Sequence, residues 1–77
     1  MKREEILEKL TEVFRDVFDN EELKINEETV IEEIEDYSSL LFVTLVGTLS
    51  DEFDRRFSIK GLLEVKTIAQ LIDLIME

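Results

Sequence analysis

A chain of 77 residues with net charge -11, 44 % hydrophobic content and no His, Cys or Trp leaves few chemistries open. Imidazole and thiol catalysis, disulfides and zinc-cysteine staples cannot be assembled, and so acidic a chain disfavours nucleic-acid phosphates and anionic membrane surfaces while favouring basic protein partners. No run approaches the ~18 apolar residues of a membrane span, and Met1-Lys2-Arg3-Glu4-Glu5 leads into an amphipathic stretch rather than a signal peptide, so the expectation is one small cytoplasmic domain over residues 1–77.

The first helix is predicted from about Lys2 to Phe18. Ile6, Leu10, Val13 and Val17 fall at helical spacing, with Leu7, Phe14 and Phe18 beside them. Asp19 to Ser38 reads as a long connection. Its apolar residues, Leu23, Ile25, Val30, Ile31 and Ile34, fit no long amphipathic pattern. They are expected to pin the loop to the helices, with a single helical turn near Thr29 to Ile34. Loops of this length in compact domains are uncommon and often functional.

The second helix is predicted from Ser39 to about Asp54, with Phe42, Val43, Leu45, Val46, Leu49 and Phe53 as one broad buried stripe. The opposite side carries Leu40, Thr44, Gly47, Thr48 and Asp51, with Leu41 at its border. That face is uncharged for its first three turns. It reads either as cover for neighbouring loops or as a partner-docking face beside Ser39. A short third helix is expected around Lys60 to Glu64. The last runs from Thr67 to about Met76, with Thr67 and Gln70 as a capping box and Ile68, Leu71, Ile72 and Ile75 facing the core. Proline is absent and glycine occurs only at Gly47 and Gly61. The fold class is therefore all-α: a small bundle of three longer helices plus one short helix, with a long loop between helices one and two.

Charge is unevenly placed. From Ile25 to Asp54 there are nine acids (Glu27, Glu28, Glu32, Glu33, Glu35, Asp36, Asp51, Glu52 and Asp54), and all nine basic residues lie outside this window. Ser39 sits in its middle. The acids serve as a solvated face, as a field steering a basic partner, or as both. No stretch has the spaced ligands, central Gly and terminal Glu of a calcium-binding EF-hand loop, and no metal site is expected. Acid-base catalysis by two carboxylates needs an enclosed pocket, which solvent-facing acids on so small a domain do not offer. A hydroxyl at a helix start is exposed and meets unpaired N–H groups and the positive dipole end. Ser39 is thus either an N-cap or an attachment point for an anionic group.

The run Tyr37-Ser38-Ser39-Leu40, then Phe42-Val43-x-Leu45-Val46-x-x-Leu49-x-Asp51-Glu52-Phe53, resembles the acyl carrier protein family, which carries Asp-Ser-Leu at the start of its second helix and ends that helix in Glu-Glu-Phe. Glu28-Thr29-x-Ile31-Glu32-Glu33-Ile34 resembles the family's approach to the serine. Val65-Lys66-Thr67-Ile68 and Leu71-Ile72-Asp73-Leu74-Ile75 resemble its closing segment. The resemblance covers nearly the whole chain and implies a single acyl-carrier-like domain, 1–77. It implies a non-catalytic carrier that holds acyl or aminoacyl groups as thioesters on 4'-phosphopantetheine. The arm comes from coenzyme A and is joined to Ser39 by a phosphodiester. The implied partners are a phosphopantetheinyl transferase and acyl-loading and acyl-processing enzymes with basic docking patches, in fatty-acid, lipid or secondary-metabolite synthesis. They would meet a monomer at Leu40, Leu41, Thr44, Gly47, Thr48, Asp51, Asp36 and Glu35. If Ser38 were the attachment point, every downstream aliphatic position would turn by about 100° and mismatch the family. Ser38 is therefore the expected N-cap, after a loop one residue longer than usual.

The chain departs from the family in three places. Ser38 stands where the family has the Asp that helps the transferase hold its metal ion and coenzyme A, with Asp36 as the nearest carboxylate. Thr44, Gly47 and Ser50-Asp51 replace an acid, a Met and an acidic pair on helix two. Ser58-Ile59-Lys60-Gly61-Leu62 lacks the family's Pro-Asp-Glu acids. These departures imply a specialised carrier with dedicated enzymes, and Gly47 implies a packing or close-approach role. Phe42, Val46 and Ile68 are ordinary core positions that could also line a site for cargo. The alternative is an unmodified module of the carrier fold that binds protein through the outer face of helix two.

Overall fold

The computed structural model describes residues 2–77; Met1 lies outside the described residues. Four helices follow one another: α1 (Arg3–Val17), α2 (Ser39–Glu52), α3 (Ile59–Leu63) and α4 (Ile68–Met76). A 3-10 turn at Ile31–Glu33 interrupts the long connection, within the stretch where one helical turn is expected. Helix α1 packs along α2, α4 closes against α1, and α3 rests on α2. None of the described helices is long and apolar enough to cross a membrane.

The core gathers Ile6, Leu10, Val13 and Phe14 of α1, Phe42, Leu45, Val46 and Leu49 of α2, Leu62 of α3, and Ile68, Leu71, Ile72 and Ile75 of α4. Phe14 stacks on Phe18 with ring centroids 5.8 Å apart. The predicted stripe of α2 is too broad at one edge. Val43 is 51 % exposed, a correction with a geometric cause. At about 100° per residue, Leu45, Leu49, Phe42 and Val46 span only about 100° of the helix circumference. Val43 lies about 60° beyond that arc, where no helix covers it. Val17 and Phe53 are half-buried.

Two helices end sooner than predicted, for the same reason. Asp19 (φ 51) follows α1 and its cap Phe18, and Asp54 (φ 49) follows α2 and its cap Phe53. Each takes the left-handed conformation that terminates a helix and that Asp tolerates better than most residues. Helix α3 begins and ends one residue earlier than expected, because Ser58 caps it through the Gly61 N–H at 2.9 Å. A Cβ at Gly61 would stand 2.8 Å from that Ser58 Oγ, so a larger residue there would require the hydroxyl to shift.

The long connection is held by more than its buried Ile25, Ile31 and Ile34. Asn26 and Thr29 form a reciprocal turn, with Asn26 N–H donating to Thr29 Oγ1 at 2.9 Å and Glu28 N–H to Asn26 Oδ1 at 2.8 Å. The loop then reaches the start of α4. Ile68 N–H donates to Thr29 O at 3.0 Å, Ala69 N–H to Glu27 O at 2.9 Å, and Ile31 N–H to Lys66 O at 2.9 Å. Thr67 Oγ1 accepts from Gln70 N–H, completing the expected capping box. Arg3 binds across the same region, 2.6 Å from both Glu27 and Asp73.

The Arg3 guanidinium holds the Glu27 carboxyl below its ordinary value, against an opposing effect of desolvation. The stability this adds is fully present above the ordinary carboxylate range and is lost as pH falls through the lowered value. Arg3→Met is therefore expected to lower the thermal midpoint at neutral pH. The gap from wild type should narrow in acid, below the ordinary glutamate value of 4.5. Circular-dichroism melts across that range measure it; a pH-independent gap would show that the ion pair is not its source.

Candidate functional site

The approach to Ser39 is a tight turn. Ile34 is buried, Tyr37 N–H donates back to Ile34 O at 3.0 Å, and Asp36 sits at φ 73. A positive φ at the third residue of an i to i+3 turn is the type II pattern, which tolerates Asp less readily than Gly or Asn. Tyr37 packs its half-buried ring against the core. Burial, and then the charge of Glu32, push its hydroxyl pKa up, so the phenol stays neutral. The next residues emerge extended, with Ser38 at φ -152 and ψ 163.

The two serines have different surroundings. Ser38 Oγ accepts from Leu41 N–H at 3.1 Å and so serves as the N-cap. Ser39, the first residue of α2, is exposed. Among the described residues its hydroxyl has no hydrogen-bond partner, and neither Ser39 N–H nor Leu40 N–H is paired. The first turn of α2 contains no acid, whereas α1 places Glu4 and Glu5 in its first turn. An anion joined to Ser39 Oγ would thus meet two open N–H donors and the positive end of the helix, with no competing carboxylate in that turn. The residues fit a phosphodiester there.

Around this point the other expected docking residues divide into two sets. Leu40 (77 % exposed), Thr44, Gly47 and Asp51 face solvent on one side of α2. Leu41 and Thr48 are half-buried and turn toward α1, on the edge where Glu52 pairs with Lys9 at 3.7 Å. Glu35 and Asp36 are exposed on the turn before the helix. Gly47 has no packing role within the molecule, since a Cβ there would meet nothing within 4 Å. Phe42, Val46 and Ile68 are buried in the core.

The acidic window is partly neutralised from outside it. Arg3 pairs with Glu27, Lys66 with Glu32 and Lys9 with Glu52. Glu28, Glu33, Glu35, Asp36, Asp51 and Asp54 have no ion-pair partner among the described residues. No described group of three or more acids is placed to hold a metal ion. An open groove of about 360 Å³ between Ile6, Phe53, Arg55, Ile75 and Met76 lies at the C-terminal end of α2, about 20 Å along the helix from Ser39.

Sequence reasoning did not single out the exposed apolar residues of α3. Ile59 and Leu63 are 46 % and 55 % exposed, while Leu62 between them is buried. The four-residue spacing of Ile59 and Leu63 carried the signal, but a five-residue helix is too short to show a stripe.

Comparison with known proteins gives a consistent result. The family model described as "Phosphopantetheine attachment site" matches residues 8–75. A solution NMR structure of a holo acyl carrier protein from Geobacter metallireducens superposes with a TM-score of 0.79 at 30 % identity, covering 91 % of this chain and 80 % of that one. Comparison with curated protein sequences gives no significant match.

The unequal roles of the serines can be measured. Ser38→Ala is expected to cost about 1 kcal/mol through loss of the cap, whereas Ser39→Ala should stay within about 0.5 kcal/mol of wild type. Urea unfolding of both variants decides it; equal losses would contradict the assignment of the cap to Ser38.

Proposed function

We propose that this chain, which belongs to the phosphopantetheine attachment family and is an acyl-carrier-type protein for covalent 4'-phosphopantetheine, holds that group on Ser39. The observation that carries the assignment is the free, exposed Ser39 hydroxyl beside a Ser38 hydroxyl already committed to Leu41 N–H. In attachment, Ser39 Oγ would form the new bond to phosphorus. The pyrophosphate bond of coenzyme A breaks, adenosine 3',5'-bisphosphate leaves, and the serine proton passes to a base of the transferase. When bound, the group supplies a terminal thiol that holds an acyl or aminoacyl cargo as a thioester.

The chain's own residues fix where that cargo is presented. The buried Ile34 and half-buried Tyr37 anchor the turn, the Ser38 cap fixes the first turn of α2, and Ser39 is left facing outward. Catalysis belongs to the partners: a transferase that installs the arm, and enzymes that load and process the cargo. The pathway we propose is fatty-acid, lipid or secondary-metabolite synthesis, in the cytoplasm and with the carrier as a monomeric single domain. Thr44, Gly47 and Ser50 in place of acids and Met support dedicated enzymes over general fatty-acid ones. Efficient loading by housekeeping fatty-acid enzymes would argue the other way.

Coexpression with several transferases tests the site. Mass spectrometry should show the phosphopantetheine increment on wild type and on Ser38→Ala but not on Ser39→Ala. Ser38→Asp, which keeps a capping side chain and supplies the carboxylate that the resemblance associates with the transferase's metal ion, should be modified about 10-fold faster, a barrier change of ~1.4 kcal/mol. Absence of any modified species under all conditions would favour the unmodified binding module instead.

A further inference from the structure

The stretch that delivers the chain to Ser39 and into α2 rests on one side chain. From Glu35 to Leu40 every residue is exposed except Tyr37, which is half-buried and packs against the core cluster that holds Phe42. Counted from the N-cap Ser38, Tyr37 stands at N′ and the buried Phe42 at N4. These are the positions of a hydrophobic staple, in which apolar packing across the first turn fixes the angle at which the chain enters the helix. Ile34 is buried at the other end of the turn, so two anchors three residues apart enclose the exposed Glu35 and Asp36.

The backbone of Asp36 shows how firmly those anchors hold. Its φ of 73 is uncommon for a residue with a Cβ and is unfavourable on steric grounds. Asp19 and Asp54 share the left-handed region, but they follow the caps of α1 and α2, where that conformation ends a helix. Asp36 ends no α-helix, and among the described residues its carboxylate accepts no hydrogen bond. Such a conformation persists where the structure on both sides of it is fixed. Here the fixed points are the Ile34 side chain and the Tyr37 ring.

The consequence falls on the two hydroxyls. Among the described residues Leu41 N–H has Ser38 Oγ as its acceptor, at 3.1 Å. That bond depends on the extended conformation Ser38 takes immediately after Tyr37, with φ -152 and ψ 163. A chain released at Tyr37 could enter the helix one residue later. Ser39 would then be the cap, its Oγ accepting from Phe42 N–H three residues on, and the hydroxyl to be esterified would be drawn back against the backbone.

Resting on the carrier reading, we infer that Tyr37 is a positioning residue for attachment at Ser39. Its ring, stapled over the first turn of α2, commits Ser38 to the cap and keeps Ser39 Oγ free to bond phosphorus, with the Ser39 and Leu40 N–H groups open beside it. The apolar ring does this work, and the phenol hydroxyl is not needed for it.

The test uses the full chain, coenzyme A and a transferase that modifies wild type, with KM and kcat read by mass spectrometry. Tyr37→Ala should lower kcat about 10-fold with KM within about 2-fold, the pattern of a misaligned nucleophile. Tyr37→Phe should keep both within about 2-fold of wild type. In the free protein, amide hydrogen exchange at Leu41 should quicken about 10-fold in Tyr37→Ala as the cap opens, while the Leu45 and Leu49 amides exchange as in wild type and report an intact bundle. Tyr37→Gln, which is long but lacks the apolar ring, should behave as Tyr37→Ala does and takes its place if that variant does not fold. Wild-type kcat or wild-type Leu41 exchange without the ring overturns the inference. A loss confined to KM also overturns it, by making Tyr37 a contact for the transferase, as does a kcat loss in Tyr37→Phe. All of these outcomes leave the carrier reading intact, whereas a wild-type chain that no transferase modifies overturns both.

Discussion

The first three N–H groups of α4 have no partners within their own helix, and the rest of the molecule is arranged by how they are satisfied. A free helix start would leave them to water. Here Thr29 O and Glu27 O take the first two and Thr67 Oγ1 the third. Arg3 binds Glu27 and Asp73 over the same junction. A connection of about twenty residues without a long element is thereby fixed at its midpoint to two helices. The segment that remains between Ile31 and Ser38 is short enough that one turn at Ile34–Tyr37 sets the direction in which α2 begins. The position of Ser39 is a consequence of hydrogen bonds made well away from it.

That dependence explains which parts of the structure were legible in the sequence. Ile6, Leu10, Leu45, Leu49, Leu71 and Ile72 show themselves by spacing alone, because a helix facing a core repeats its contacts every turn. Thr67 and Gln70 show themselves because a capping box is local. Val43 does not, since the width of a buried arc depends on how many neighbours surround the helix, and α2 is covered on only part of its circumference. The ends at Asp19 and Asp54 are hidden for another reason. A left-handed Asp is a conformation selected by the path of the chain beyond it, and its residue type alone leaves helix continuation open. The loop's attachment to α4 is equally hidden, because its donors and acceptors are backbone atoms that any residue carries.

Under the proposed attachment at Ser39, adjacent serines divide tasks that conflict if one hydroxyl must do both. A cap hydroxyl accepts from the N–H three residues on and is held close to the backbone; a hydroxyl that is to be esterified must be free and reachable. Register favours Ser39 for attachment, and the hydrogen bond from Leu41 N–H to Ser38 supports the same proposal. An acid at position 38 would cap equally well, so what distinguishes this chain at that position is local charge and not helix stability. The N-cap and the first turn of α2 are both free of negative charge even though the preceding turn is acidic.

Net charge -11 makes the exposed bases more informative than the acids. In a field of excess carboxylates a Lys or Arg gains by approaching one, and Arg3, Lys9 and Lys66 do so. Lys2, Lys24, Arg56 and Lys60 are exposed and make no ion pair among the described residues in the same field. Gly47 gives up helix propensity with no contact inside the molecule to offset it. One conformational cost thus falls on a face of α2 whose apolar side chains Leu40 and Val43 are also uncovered.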